Sequence, residues 1–400
     1  MLSWSSEIRN KMRFIRGFGS ISRILFFLVC VMLGCILWEQ ISLLEKSYNI
    51  RNQDLHVMTD LNPTPCHPVT NIMFLKTHKT ASSTILNILY RFIENHHLTV
   101  ALPVWSNTFN YPKPFKAEYV LGFPEIWEKY DVMCNHLAFN HTEIKQVMSN
   151  NTFYFSILRN PVSQLESSYT YFFKFFKTET LDQFLASPHT YYDPTIYYQM
   201  LVRNTIWYDF GYDNNAEDRE DYVSSIIEEI EQRFHLILIA EYFDESMILL
   251  KNTLCWDLED VIYFKQNFRS QDTIQNLTQE SKERAKQWCS LDWKLYQHFN
   301  RTFWRRIQET IGQKEIQKEV EILHTRQKEL MEICIQERSG TNIDKIKQKQ
   351  FRPQQAGKAH ILGYDLKPGL DSKYKKICHR MILPEFTHFT LMRNYQFSQI

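Results

Sequence analysis

The chain has 400 residues, a formal net charge of +1 and 14% aromatic residues, but only 10 glycines. After terminal segments are set aside, this length suits one large domain or two modest ones. The near-neutral charge gives no sign of a nucleic-acid partner. The aromatic content favours a well-packed globular fold over a disordered chain.

The N-terminal region has the pattern of a membrane anchor. Residues 24–38 are all apolar, and continuing to Leu44 supplies the ~20 residues that a span requires. Basic residues outnumber the single acid, Glu7, before this run, which places the N-terminus in the cytosol. A cleaved signal peptide is the alternative, but bulky residues follow the run where a cleavage site would need small ones. We predict a type II, single-pass protein with the following parts: cytoplasmic tail 1–22, signal-anchor transmembrane helix 23–44, lumenal stem 45–70 and lumenal catalytic domain 71–400.

Two further features agree with a lumenal location. Asparagine-glycosylation sequons occur at Asn140, Asn150, Asn276 and Asn300, and such sites are usable only on the lumenal side. Six cysteines follow the predicted membrane segment, an even number that allows fifteen disulfide pairings and selects none. These cysteines are far apart and form no C-x-x-C motif, so the sequence predicts no metal site.

Residues 72–84 combine a short apolar strand, a polar turn and the start of a helix. Hydroxyl and basic residues fill the turn, and apolar residues recur at helical spacing after it. Backbone N–H groups and the helix dipole make such a turn an anion site. The turn has no glycine, so it does not match the Walker pattern of nucleoside-triphosphate sites. We therefore predict a phosphate site of another kind, with an ordinary capped turn as the alternative.

Further strands are predicted at residues 131–136, 153–158 and 235–240, and a helix from about Ser163 to Phe176. Alternating strands and helices predict an α/β fold with a central parallel sheet flanked by helices. Ligands of such sheets bind at the carboxyl ends of the strands.

Three basic residues lie at or just after predicted strand ends. Because they share this position, we expect Lys79, His136 and Arg159 to belong to one site. Arg159 could clamp a second phosphate, with Ser167 donating to the same group. Two phosphate sites on one sheet fit a nucleotide phosphorylated at both the 5′ and 3′ positions. A structural ion pair is the alternative for Arg159.

These motifs resemble the Golgi carbohydrate sulfotransferases. Residues 74–84 (FLKTHKTASST), 135–139 (NHLAF) and 157–161 (ILRNP) are similar to the galactose 3-O-sulfotransferase family, and the similarity covers about residues 70–385. The resemblance implies a P-loop-like sulfotransferase fold in the Golgi membrane. It implies 3′-phosphoadenosine 5′-phosphosulfate (PAPS) as donor, with no metal, and transfer to the 3-hydroxyl of terminal β-galactose. A glycoprotein glycan is the preferred acceptor, and the glycolipid galactosylceramide is the other.

The resemblance also assigns roles to residues. Arg159 and Ser167 hold the 3′-phosphate, and the 5′-phosphosulfate is held by Lys79, Thr80, Ala81, Ser82, Ser83 and Thr84. Lys79 would neutralise charge on the bridging oxygen as the S–O bond breaks. We select His136 as general base because histidine titrates near working pH, with His78 as second choice. Aromatic residues after Arg159 are candidates for stacking on the sugar, although such clusters are usually core.

Two other functions are open on the sequence. A catalytically silent Golgi glycan-binding protein on the same fold is one, and the intact set of Lys79, His136, Arg159 and Ser167 argues against it. A lumenal kinase using ATP is the other, and the glycine-free turn and lack of an evident metal-holding acid argue against it. A homodimer is compatible with the sequence but is not required by it.

Overall fold

The computed structural model describes residues 66–398. Its strands form one five-stranded sheet in the order β2-β3-β1-β4-β5, and every neighbouring pair is parallel. The strands are β1 (Ile72–Leu75), β2 (Val100–Ala101), β3 (Val132–Met133), β4 (Phe153–Leu158) and β5 (Leu236–Ile239). Strands buried on both faces read as continuous apolar runs, as β1 and β5 do. The predicted parallel sheet flanked by helices is confirmed.

The helices of the described residues cover both faces of this sheet and continue into a C-terminal bundle. They are α1 (Ser82–His96), α2 (His141–Val147), α3 (Pro161–Tyr171), α4 (Leu181–Ala186), α5 (Pro188–Tyr191), α6 (Thr205–Asp209), α7 (Glu220–Arg233), α8 (Phe243–Leu254), α9 (Leu258–Val261), α10 (Gln279–Trp288), α11 (Ser290–Thr310), α12 (Gln313–Cys334), α13 (Ser372–Ile382) and α14 (Glu385–Phe397).

The position of β1 at the centre of the sheet decides where a ligand can bind. Strand β3 pairs with one edge of β1 and β4 pairs with the other. After β1 the chain forms β2 and β3 on one side of β1, and then crosses to form β4 and β5 on the other side. Such a switch point opens a crevice at the carboxyl ends of the strands.

Two predicted elements differ from those observed. Helix α3 begins at Pro161, not near Ser163, because proline is well suited to a first helical position and Asn160 caps the helix through Val162 N (3.0 Å). It ends at Tyr171, and residues 173–175 form a short 3₁₀ turn in place of the predicted helix end. The strand predicted at 131–136 is reduced to β3, so His136 lies in a loop.

The cysteines are not all paired. Cys334 and Cys378 form a disulfide that joins α12 to α13. Cys134 and Cys289 are buried free thiols. Burial keeps them away from oxidants and partners, so they behave as small core residues.

The predicted membrane anchor cannot be compared with the structure. Within residues 66–398, no helix has both the length and the apolar character needed to cross a bilayer. The predicted tail, transmembrane helix 23–44 and nearly all of the stem lie outside the described residues, and these assignments stay predictions.

Candidate active site

The turn between β1 and α1 folds as an anion-binding concavity without any glycine. Lys79 and Ala81 both adopt left-handed backbone conformations, with φ of 60° and 63°. Alternating left-handed residues turn successive N–H groups to the same side, and the first N–H groups of α1 lack intrahelical partners. The N-cap of α1 is Ala81, which offers no side-chain cap. Strain of this kind in non-glycine residues is found where the surrounding structure holds a functional geometry.

The hydroxyl groups of the turn hold it in shape. Ser82 Oγ donates to the Thr77 carbonyl (2.6 Å), and Ser83 Oγ donates to Glu385 at the start of α14 (2.7 Å). Thr84 Oγ1 accepts from the backbone N–H of Gln266 (3.0 Å). These hydroxyl groups therefore stabilise the turn itself, in addition to the phosphate contacts that we predict for them.

Lys79 is held beside an aromatic ring. Its Nζ lies 3.7 Å from the ring centroid of Tyr171, the last residue of α3, and its carbonyl accepts from Arg159 Nη1 (3.1 Å). Burial, followed by the positive charges of Arg269, Arg159 and Lys76, lowers the pKa of Lys79 to about 7. A bound anion would offset these charges and restore the ammonium form.

His136 is engaged at both ring nitrogens. Its Nδ1 lies 2.8 Å from the Lys76 carbonyl and its Nε2 lies 2.8 Å from Lys76 Nζ. The carbonyl can only accept, so Nδ1 carries the proton and Nε2 accepts from the ammonium. Burial, followed by the charge of Lys76, holds the pKa of His136 well below its usual range. Lys76 Nζ also pairs with Glu385 Oε2 at 3.2 Å.

His78 has a different pattern of contacts. Its Nδ1 lies 2.9 Å from Asp209 Oδ1, and its backbone N–H donates to Oδ2 of the same carboxylate (2.8 Å). Tyr111 OH donates to Asp209 as well (3.0 Å). A carboxylate partner fixes the proton on Nδ1 and leaves the Nε2 lone pair as the acceptor. The rings of His78 and His136 stack with centroids 4.1 Å apart.

A second group of charges follows β4. Arg159 and Ser167 line the same cavity as the turn. Next to Ser167, Glu166 pairs with Arg269 at 2.5 Å and is nearly buried. Arg269 Nη1 also donates to the Thr273 carbonyl (3.1 Å). This end of the cavity therefore presents two guanidinium groups, and the carboxylates of Glu166 and Glu241 offset part of their charge.

Apart from the buried Asp209 and Glu166, the charged and imidazole side chains described above line one cavity of about 1630 Å³ at the carboxyl ends of the strands. The structure thus brings together every catalytic and donor-binding residue selected from the sequence: Lys79, Thr80, Ala81, Ser82, Ser83, Thr84, His136, Arg159 and Ser167. Sharing one cavity is the condition for a common site, and the individual roles remain predictions.

Sequence reasoning missed the groups that come from distant segments. Asp209 and Glu385 reach the turn from α6 and α14, and nothing local in the sequence distinguishes them from other acids. Residues from the stretch 351–364 also line the cavity, and no local sequence motif marks them. Gly357 in this stretch lies so close to the end of α3 that a Cβ would come within 2.4 Å of the Thr170 carbonyl.

The four sequons differ in exposure. Asn150 and Asn276 are exposed, whereas Asn140 is half-buried and donates to the Phe115 carbonyl (3.2 Å). Asn300 lies in the middle of the long helix α11. Exposure favours Asn150 and Asn276 for glycosylation, and all four sites stay predictions.

No cluster of three or more metal-ligating side chains occurs within the described part of the chain.

Comparison with known proteins identifies the family. The family profile described as galactose-3-O-sulfotransferase matches residues 20–396. Galactose-3-O-sulfotransferase 2 from Mus musculus is 51% identical over 82% of this chain and 86% of its own length. The Homo sapiens protein of that name is 48% identical over 83% of this chain and 85% of its own length. Human galactosylceramide sulfotransferase is 39% identical over 81% of this chain and 78% of its own length. The chain is therefore a sulfotransferase enzyme and belongs to the galactose-3-O-sulfotransferase family.

Proposed function

We propose that this protein transfers the sulfuryl group of PAPS to the 3-hydroxyl of a terminal β-galactose. The observation that carries the proposal is the glycine-free anion turn after β1, with Lys79 beside it and Arg159 in the same cavity. Family membership supplies the reaction class, and the names of the relatives supply galactose as the acceptor. The higher identity to galactose-3-O-sulfotransferase 2 than to galactosylceramide sulfotransferase favours a glycoprotein glycan over a glycolipid.

Two anion positions in the cavity fit the two ends of the donor. Residues 79–84 present backbone N–H groups and an ammonium to the 5′-phosphosulfate. Arg159 and Ser167 face the 3′-phosphate, and Arg269 adds positive charge next to them. Guanidinium groups suit phosphate because their N–H groups bind two oxygens at once.

The transfer is a single displacement at sulfur. The galactose O3 forms a bond to sulfur while the bond from sulfur to the 5′-phosphate oxygen breaks, and adenosine 3′,5′-bisphosphate leaves. Lys79 lies where it can neutralise the charge that develops on the leaving oxygen. A compact ammonium on a flexible stem can follow that charge as it moves.

The proton of the attacking hydroxyl passes to an imidazole. His136 was the first choice from the sequence, but its Nε2 accepts from Lys76. His78 keeps an acceptor nitrogen, Nε2, because its Nδ1–H donates to Asp209. We therefore assign the general base to His78, with Asp209 as its positioning residue. In this assignment His136 holds Lys76 in the site.

We further propose a type II, single-pass protein of the Golgi membrane with its catalytic domain in the lumen. The basic residues before the apolar segment 24–38 support this topology. A lumenal site would meet PAPS and galactose-terminated acceptors in the same compartment.

An acceptor panel tests the proposal. Full-length protein is incubated with labelled PAPS and, separately, galactosylceramide, β-galactosyl-N-acetylglucosamine and β-galactosyl-N-acetylgalactosamine. We expect labelled 3-O-sulfogalactose, with more product from the disaccharides than from the glycolipid. Binding of a sugar without any sulfate transfer, and without binding of adenosine 3′,5′-bisphosphate, would overturn it.

A further inference from the structure

One wall of the cavity consists of aromatic rings that the donor does not require. Phe172, Phe175 and Tyr198 are half-buried and line the cavity. They pack on a small hydrophobic cluster that is separate from the main core of the protein. We define these three residues as the aromatic wall.

The structure separates the wall from the other aromatic residues of the same segment. Tyr169 and Phe176 are completely buried in another cluster. Phe173 packs edge-on against Tyr169 (5.5 Å between centroids) and lies beneath Lys358 Nζ (3.6 Å). Tyr171 lies under Lys79. Core packing or a lysine directly over the ring thus covers part of each of these aromatic side chains, although Tyr171 and Phe173 also border the cavity. Phe172 and Tyr198 pack on the small cluster alone, and Phe175 lies between the two clusters with ring surface facing the cavity.

The wall begins at the imidazole to which we assign the reaction. The ring centroid of Phe172 lies 6.1 Å from that of His78, with the planes at 63°. Phe175 and Tyr198 follow, with 5.5 Å between their centroids. A base must lie about 2.6–3.2 Å from the hydroxyl that it deprotonates. A pyranose whose 3-hydroxyl meets His78 therefore has a face within reach of Phe172.

Backbone strain holds one ring of the wall in place. Tyr198 adopts φ of 70° and ψ of 8°, a left-handed conformation that is unfavourable for a bulky residue. The buried Gln199 fixes this turn, because its side chain donates to the Phe175 carbonyl (2.8 Å). Retained strain next to a binding cavity indicates that the direction of the side chain matters.

The chemistry of the wall suits a sugar and not a phosphate. The rings offer apolar faces, and the exposed Lys174 places its Nζ 5.0 Å from the Phe175 centroid. In β-galactose the axial 4-hydroxyl leaves the hydrogens of C3, C4 and C5 together on one apolar face. Aromatic rings stack on such a face while a few polar groups orient the hydroxyls.

We propose that the aromatic wall is the acceptor platform, with Phe172 beneath the galactose and Tyr198 and Phe175 beneath the next sugar. This inference rests on the proposed function. When O3 faces His78, the glycosidic oxygen on C1 points away from the imidazole, so the next sugar continues along the wall. The ligand class is a galactose-terminated oligosaccharide.

Steady-state kinetics on full-length variants tests the platform. Rates are measured with PAPS and two acceptors, β-galactosyl-N-acetylglucosamine and methyl β-galactoside. For Phe172→Ala we expect KM to rise about tenfold for both acceptors, while KM for PAPS is unchanged and Phe172→Tyr restores the wild-type value. For Tyr198→Ala we expect KM to rise only for the disaccharide. Tyr191→Ala is the matched control, because its half-buried ring packs on the neighbouring hydrophobic cluster and does not line the cavity, and it should leave both acceptor KM values unchanged.

The outcomes separate this inference from the proposed function. If the wild type sulfates no β-galactoside, the proposed function fails. If the wild type is active but Phe172→Ala keeps its acceptor KM, only the platform is overturned. If Tyr198→Ala raises KM equally for both acceptors, the proposed contact with the second sugar is overturned. Binding of adenosine 3′,5′-bisphosphate and the thermal unfolding midpoint are measured for each variant, so that a folding defect is recognised.

Discussion

The two ends of the cavity differ in the kind of surface that they present. The donor end is made of backbone N–H groups and cations, and most of it comes from one continuous stretch, residues 76–84, with Arg159 next to it. The other end is made of rings from the end of α3 and from the strained turn at Tyr198. The residues that we propose to bind the donor therefore lie mostly within one short motif, whereas the aromatic surface combines residues that are distant in the sequence. We expect single substitutions at the donor end to cause large losses of activity, and single substitutions at the acceptor end to cause smaller ones.

The largest expected effect is the loss of Lys79 at the donor end. We expect Lys79→Ala to lower kcat by about 10²–10³-fold, because the leaving oxygen loses its positive partner. The exposed lysine variant Lys116→Ala is the matched control and should keep full activity. The measurement is sulfate transfer from labelled PAPS, with unfolding curves for both variants. Undiminished activity of Lys79→Ala would exclude the assigned role.

Proton uptake tests the same lysine without catalysis. The pKa of Lys79 is lowered to about 7 by burial, so near pH 8 the side chain is mostly neutral. Binding of adenosine 3′,5′-bisphosphate should raise this pKa and take up a proton. Calorimetry in buffers of different ionisation enthalpy measures that uptake. Lys79→Ala should show none, and an equal uptake in the variant would assign the proton to another group.

The second effect concerns the imidazole that lies between the two ends. We expect His78→Ala to lower kcat by about 10²-fold, because the hydroxyl loses its base, and Asp209→Asn to lower it less. His136→Gln keeps a hydrogen-bonding side chain beside Lys76 and should retain more activity than His78→Ala. The reverse ranking of the two histidines would return the base to His136.

The same contrast explains what the sequence could and could not predict. The turn after β1, strand β4 and Arg159 were recognisable because apolar spacing and polar turn residues are local signals. Asp209 and Glu385 were not, because an acid is important here only through contacts that join residues more than a hundred positions apart. The sequence also did not indicate that Lys76 would donate to His136 Nε2, because the two residues come together only in the folded chain. The predicted end of α3, Phe176, lies beyond the observed end at Tyr171, because aromatic residues fit both a helix and the 3₁₀ turn that follows.

A smaller effect is expected at Tyr171, where the two ends meet. Its ring lies under Lys79, while the next residue begins the aromatic wall. A cation–π contact contributes about 0.5–2 kcal/mol, so Tyr171→Leu should lower kcat roughly tenfold and Tyr171→Phe should restore most of it. KM for the acceptor should change little, which distinguishes Tyr171 from Phe172. If Tyr171→Phe is as defective as Tyr171→Leu, the hydroxyl and not the ring is needed.

The smallest effect is on stability, at the ion pair that ties α14 to the donor turn. Burial alone would raise the pKa of Glu385, but Lys76 and the hydrogen bonds from Ser83 and Asn107 outweigh it and keep the pKa below its usual value. A lowered carboxyl pKa stabilises the folded state above the unfolded value of about 4.3, and this stability is lost as the pH falls through the folded pKa. Glu385→Gln should therefore lower the free energy of unfolding by about 1 kcal/mol at neutral pH. The difference from wild type should shrink as the pH falls below the unfolded value and vanish once the pH is below the lowered folded pKa, since protonation then removes the same charge from the wild type. A difference that persists in acid would mean that α14 is held by the shape of the side chain and not by its charge.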